Sequence, residues 1–220
     1  MNSGEVDREG DEFRAFTLLS QKSKKSLDDD ARLREMEWAM RLYLDTDIGP
    51  YLPGKNVKEM LRSAATKWKK GEDIKRSLIV VDYRIPLLYD GPRDQEGLWD
   101  KGYRYSTLVA NSGMNRGRVV RTRPCFEEWA IETLLAWDPE DLDYDMLRNV
   151  VERSMKFGLG DYRPEYGSFL ADLGEPTIYK EGAHVNGPKP TDRLDQQAHA
   201  ASVRRVRREP PPPAAKAKRK

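Results

Sequence analysis

The chain has 220 residues, of which 39 are basic and 37 acidic, for a formal net charge of +2. So even a balance excludes a general polycation, and any surface for nucleic acid must be a local patch. The single cysteine, Cys125, excludes an intramolecular disulfide framework and an all-cysteine zinc site, and it fits a reducing compartment.

Along the chain, residues 1–32 mix charges with Ser, Gly and Asn without a sustained apolar period, which predicts a disordered N-terminal segment. In "REMEWAMRLYLD", Met36, Trp38, Met40, Leu42 and Leu44 recur at every second position, and a period of two predicts a half-buried strand. After the Pro53–Gly54 turn, Val57, Met60, Leu61, Ala64, Ala65 and Trp68 recur at steps of three and four. This predicts an amphipathic helix ended by Gly71. The β-branched run at Leu78–Val81 predicts a strand, with a short extended piece near Leu87. Residues 84–116 read as an insertion, with a hairpin near "RYSTLVA".

"GRVVRTRP" predicts a strand stopped by Pro124, and the alternation of Trp129, Ile131, Thr133, Leu135 and Trp137 predicts another. A second helix follows in "DPEDLDYDMLRNVVERSMKFG", with Asp138 as N-cap, Pro139 at the first helical position and Gly158 at the close. "YGSFLADL" reads as a short last strand, and residues 174–220 as a disordered Pro-rich basic tail whose densest charge is Arg204, Arg205, Arg207 and Arg208. One domain over residues 33–173 remains, holding all five tryptophans. No apolar run approaches the roughly 18 residues that span a bilayer, and the polar start has no signal-peptide core; we expect a cytoplasmic protein with no membrane partner.

Two βαβ units with both helices on one face of an antiparallel sheet make an α+β, ferredoxin-like (RRM-like) fold with a loop or hairpin insertion. Some other α+β sandwich is the rival topology. Within either, "GLGDYRPEYGSF" carries Gly158, Gly160 and Gly167 together with Tyr162, Arg163 and Tyr166. Glycines accept positive φ and close backbone approach, while arginine and tyrosine offer charge and stacking faces. The same glycines also serve a helix end and a turn.

Two separated segments carry a family resemblance. "YLPGKNVKEMLR" resembles the "IPGSSIKGALR" type of sequence that follows the first strand in RAMP proteins, the RRM-fold backbone subunits of CRISPR effector complexes. "GLGDYRPEYGSF" is similar to the glycine-rich loop before the last strand of that superfamily, and the resemblance fits a phage or mobile-element relative as well as a true effector subunit. The resemblance implies that Pro53, Gly54, Lys55 and Asn56 lie on the nucleic-acid side. There the first amides of a helix can meet a phosphate.

The run "GMNRGRVVRTRP" adds Arg116, Arg118, Arg121 and Arg123, the last two on one strand face, positioned either to bracket phosphates or to pair with nearby acids. Trp99, Tyr103 and Tyr105 in the insertion either stack on bases or cover the core, whereas Trp38, Trp129 and Trp137 fall on core positions. Catalytic signals are thin. His184 and His199 both lie in the tail, Cys125 has no histidine in the folded region, and the carboxylates Asp138, Glu140 and Asp141 read as helix capping before they read as a metal-dependent nuclease. The expectation is a non-catalytic single-stranded nucleic-acid-binding protein, for RNA or DNA, without metal or cofactor. It would polymerise along the strand or join a larger ribonucleoprotein complex. The alternative is a structural or assembly protein that uses the same fold for self-association or other protein contacts.

Overall fold

The computed structural model describes residues 10–110, 118–160 and 167–177. The first described elements are two helices, α1 (Asp11–Gln21) and α2 (Leu27–Ala39), where the composition predicts disorder through residue 32 and the alternation predicts a strand from Met36 onward. A reciprocal capping box explains the start of α2. The Ser26 hydroxyl accepts from the Asp29 amide at 3.1 Å, and the Asp29 carboxylate accepts from the Ser26 amide at 2.8 Å. The Lys22 ammonium and then the Ser26 amide hold the Asp29 carboxyl down at about 2. Further along, the consecutive residues Glu37 and Trp38 are both buried. A strand with one covered face cannot bury neighbours, but a helix wedged between partners can.

The strands that follow are short. β1 (Leu44–Asp45) pairs with β2 (Gly49–Pro53), which pairs with β4 (Arg84–Pro86); β3 (Leu78–Val80) pairs with β7 (Leu135–Trp137); β5 (Arg104–Ala110) pairs with β6 (Arg118–Pro124). All pairings are antiparallel. The protein is α+β, but its strands form three separate small sheets among the described residues instead of one ferredoxin-like sheet. Proline supplies part of the reason. Pro50, Pro53 and Pro86 sit in the β1–β2–β4 ladder, lack amide donors and so limit its growth.

α3 (Gly54–Ala65) follows β2 directly and continues as a 3₁₀ turn over Thr66–Trp68. Gly71 does not end this helix. Lys69, in the left-handed region at φ 59°, breaks it, and Gly71 opens α4 (Gly71–Ser77). α5 (Gln95–Asp100) lies in the insertion ahead of the β5–β6 hairpin, so the strand predicted at residues 117–124 belongs to that hairpin. α6 (Tyr144–Phe157) begins five residues later than predicted. Its N-cap is Asp143, whose carboxylate accepts from the Met146 amide at 2.8 Å, while Asp138 to Leu142 close one isolated turn ahead of it. Of the last strand predicted over residues 166–173, residues 167–173 are irregular and Tyr166 lies outside the described residues.

One face of α3, with Val57, Met60, Leu61, Ala64 and Ala65, packs with Leu147, Val150 and Val151 of α6 and with Ile74, Leu78, Ile85 and Leu142. Leu159, Phe169 and Leu173 cover its edge. The hairpin is attached elsewhere. Arg121 and Arg123 do share a face, and both donate to the same carboxylate oxygen of Glu37, at 3.0 and 2.9 Å, while the Thr122 amide donates to the other oxygen at 3.2 Å. Trp38, fully buried, donates its indole N–H to the Tyr103 carbonyl at 2.9 Å and meets Trp99 edge to face.

Removing both arginines would leave Glu37 as a buried carboxylate without a counter-charge, which costs about 3–5 kcal/mol when a buried pair is broken from one side. Arg121→Ala with Arg123→Ala is therefore expected to lower unfolding stability by roughly that amount in urea, and the triple variant that also carries Glu37→Gln to recover part of it. Equal stability of the double variant and the parent would show that the clamp does not hold the hairpin.

Candidate nucleic-acid interface

The Pro53–Gly54 junction is first of all a joint. The Gly54 amide donates to the Tyr83 carbonyl at 3.0 Å, and a Cβ added at Gly54 would stand 2.3 Å from the Asp82 carbonyl oxygen. The β3–β4 connection thus passes too close for any side chain here, and it occupies the first amide of α3. Pro53, Gly54 and Asn56 are buried; Lys55 alone of the four is exposed. Of the predicted anion site, the structure leaves the Lys55 ammonium at the surface.

The arginines divide in the same way. Arg121 and Arg123 are engaged by Glu37, and Arg123 keeps only 18% of its side-chain surface. Arg118, at the start of β6, is exposed, and Arg116 lies outside the described residues. Of the two readings of Arg121 and Arg123, bracketing phosphates or pairing with nearby acids, the structure displays the pairing.

Insertion aromatics prove to be packing groups. Tyr89, Tyr103 and Phe126 meet with ring centroids 5.0–5.5 Å apart, the Tyr103 hydroxyl donates to the Asp90 carbonyl, and the Arg104 guanidinium lies 4.2 Å from the Trp99 ring centroid. Tyr105 is half-buried. Burial pushes the Tyr89 phenol up to about 12 and also raises the Cys125 thiol, which is half-buried. A thiol so raised is a poor nucleophile.

The carboxylates of the acidic stretch serve local structure. Asp138 accepts from the Glu140 amide at 2.9 Å, Asp141 lies 3.4 Å from Arg76, and Asp143 caps α6. Among the described residues no group of three or more His, Cys, Asp or Glu is placed to hold a metal ion.

The glycine loop has a defined neck. Gly158 closes α6 at φ 74°, its amide donating to the Ser154 carbonyl. The Leu159 amide then donates to the Gly167 carbonyl at 2.8 Å, so the loop leaves and returns at one point. A Cβ at Gly167 would stand 1.7 Å from the Leu159 carbonyl oxygen, and its φ of +78° disfavours other residues as well. Gly160, at φ +113°, has nothing within 4 Å of a built Cβ. Tyr162, Arg163 and Tyr166 lie outside the described residues.

Sequence reasoning missed one feature. Lys67, Trp68, Arg153 and Lys156 line a single cleft between the 3₁₀ turn and α6. The helical spacing of Trp68 marks it as core, and nothing in the linear sequence joins residues 67–68 to residues 153–156. No protein-family model, curated protein or solved structure matches the chain. The likeness to RAMP proteins therefore stands on its two motifs alone.

Two glycines separate the roles of conformation and contact. Gly102→Ala, at φ +81° with nothing within 4 Å, should cost only the left-handed backbone strain of about 1–2 kcal/mol. Gly167→Ala adds a collision with backbone and should lower the melting temperature further. A comparison of the two melting curves checks this, and equal shifts would show that the neck opens freely.

Proposed function

We propose that the chain is a non-enzymatic protein that binds single-stranded nucleic acid, RNA or DNA, and that it resembles RAMP backbone subunits in doing so. The observation that carries this reading is the necked glycine loop. Its ends are tied by the Leu159–Gly167 hydrogen bond, and the six residues between Gly160 and Gly167 include Tyr162, Arg163 and Tyr166. A loop with a tied neck and a sequence that carries two aromatics and an arginine suits a polymer that offers base faces and phosphates in alternation. Exposed Lys55 and Arg118 add cations beyond the loop. The order β2–α3–β3 agrees with the strand–helix–strand order of the resembled RRM fold, although these strands pair in different sheets.

A second reading, assembly through protein contacts, is favoured by Leu108 and Val120. They sit opposite each other across the β5–β6 hairpin and are 60% and 42% exposed. Sedimentation without nucleic acid separates the two. An oligomer that Leu108→Lys returns to monomer would support assembly.

For the leading reading, anisotropy titrations with labelled single-stranded RNA and DNA of about 20 nucleotides are the direct test. The variant Tyr162→Ala, Arg163→Ala, Tyr166→Ala should bind at least about tenfold more weakly, since each lost stacked base is worth about 1–3 kcal/mol. The parent's affinity should fall steeply with added salt. A parent protein that binds neither strand at low salt would overturn the reading.

A further inference from the structure

The cleft between the 3₁₀ turn and the second half of α6 has a volume of about 410 Å³. That lies within the roughly 300–1,000 Å³ of small-ligand sites and leaves room for about one nucleotide. Three cations line it, Lys67, Arg153 and Lys156, against one carboxylate, Glu152. Among the described residues none of the three is in an ion pair. Four cations on the adjoining surface are paired: Arg62 with Glu59 and Glu72, Lys70 with Asp73, Lys75 with Glu72, and Arg76 with Asp73 and Asp141. In a chain with nearly equal numbers of acids and bases, three unpaired cations around one concavity leave charge available to an anion.

The cleft also offers a ring. Trp68 is half-buried, with the Lys67 ammonium 5.1 Å and the Arg153 guanidinium 5.9 Å from its centroid, and the same guanidinium lies 5.2 Å from the Phe157 ring. Held by two aromatic contacts, Arg153 nonetheless has a buried Nε–H with no acceptor. A buried donor without a partner is costly, and an incoming phosphate or base oxygen would relieve it. Asn149 adds an amide that can read a base edge. A plain anion would need only the cations, and an acidic peptide would make no use of the indole face. Charge, ring and amide together match a nucleotide.

We propose that this cleft is a nucleotide subsite, holding one nucleotide of the bound single strand with its base against Trp68 and its phosphate among Arg153, Lys156 and Lys67. The assignment rests on the single-strand reading above and names where the strand sits. Lys156 precedes Gly158 by two residues, so a strand held here would continue to the necked loop.

The test uses the full chain and labelled single-stranded oligonucleotides of about 20 nucleotides. Lys67→Glu with Lys156→Glu changes two exposed side chains, so the fold should be kept, as checked by circular dichroism. Affinity should fall at least about tenfold, and the salt slope should drop by about 0.7, the value for one lost phosphate contact on a single strand. Trp68→Phe keeps an aromatic ring in the core wall and should leave the slope unchanged while removing a component of the tryptophan quenching seen on binding. The control Lys24→Glu with Lys101→Glu, exposed lysines away from the cleft, should match the parent. If the parent binds and the cleft variants bind with parental affinity, slope and quenching, the subsite is overturned while the single-strand reading stands. If the parent does not bind at all, the reading and the subsite fall together.

Discussion

A buried carboxylate on α2 fixes the β5–β6 hairpin of this protein. Glu37 sits on α2 with both oxygens occupied, one by two guanidinium groups and the other by a backbone amide, all from three consecutive residues of β6. Such a charge is stable away from water only when its partners are present with good geometry. It therefore fixes where the hairpin lies against the helix. Trp38, the next residue, locks the same contact from its other side through the Tyr103 carbonyl and the edge of Trp99. Polar satisfaction thus decides a position that the hydrophobic core, gathered around α3 and α6, does not reach.

The glycines give a second kind of constraint. Gly54 and Gly167 are required because other backbone passes where their side chains would be, beside the Asp82 and Leu159 carbonyls respectively. Both belong to segments whose composition also suits phosphate binding. Close approach of chain to chain and close approach of chain to ligand make the same demand on a residue. A motif built from Pro and Gly therefore reads equally well as a joint, and at residues 53–54 the joint is what the structure displays.

Charge follows the same economy. Arg62, Lys70, Lys75 and Arg76 around α3 and α4 are neutralised locally by acids three residues away, pairs that contribute little each. What distinguishes Lys67, Arg153 and Lys156 is the lack of such partners around a concave surface that also carries an indole. Net charge near zero and a cationic cleft are compatible because pairing is local.

The sequence by itself determined the elements whose signals are local. The apolar spacing of α3 and α6, the close of α6 at Gly158, the extended runs at Leu78 and at Arg118–Pro124, and the hairpin near residues 104–110 were all legible in it, because helical and extended periods are properties of a few consecutive residues. It also carried the α+β class. The tertiary structure decided the rest. It turned the alternation of Met36, Trp38 and Met40 into a helix, since Glu37 and Trp38 answer to different partners that lie more than 60 residues away. It split the strands among three sheets, because register and proline placement act between segments and not within them. It tied Arg121 and Arg123 to Glu37 and brought Trp68 to Arg153, for the same physical reason: charge and packing are settled by neighbours in space, and a linear sequence names residues without naming their neighbours.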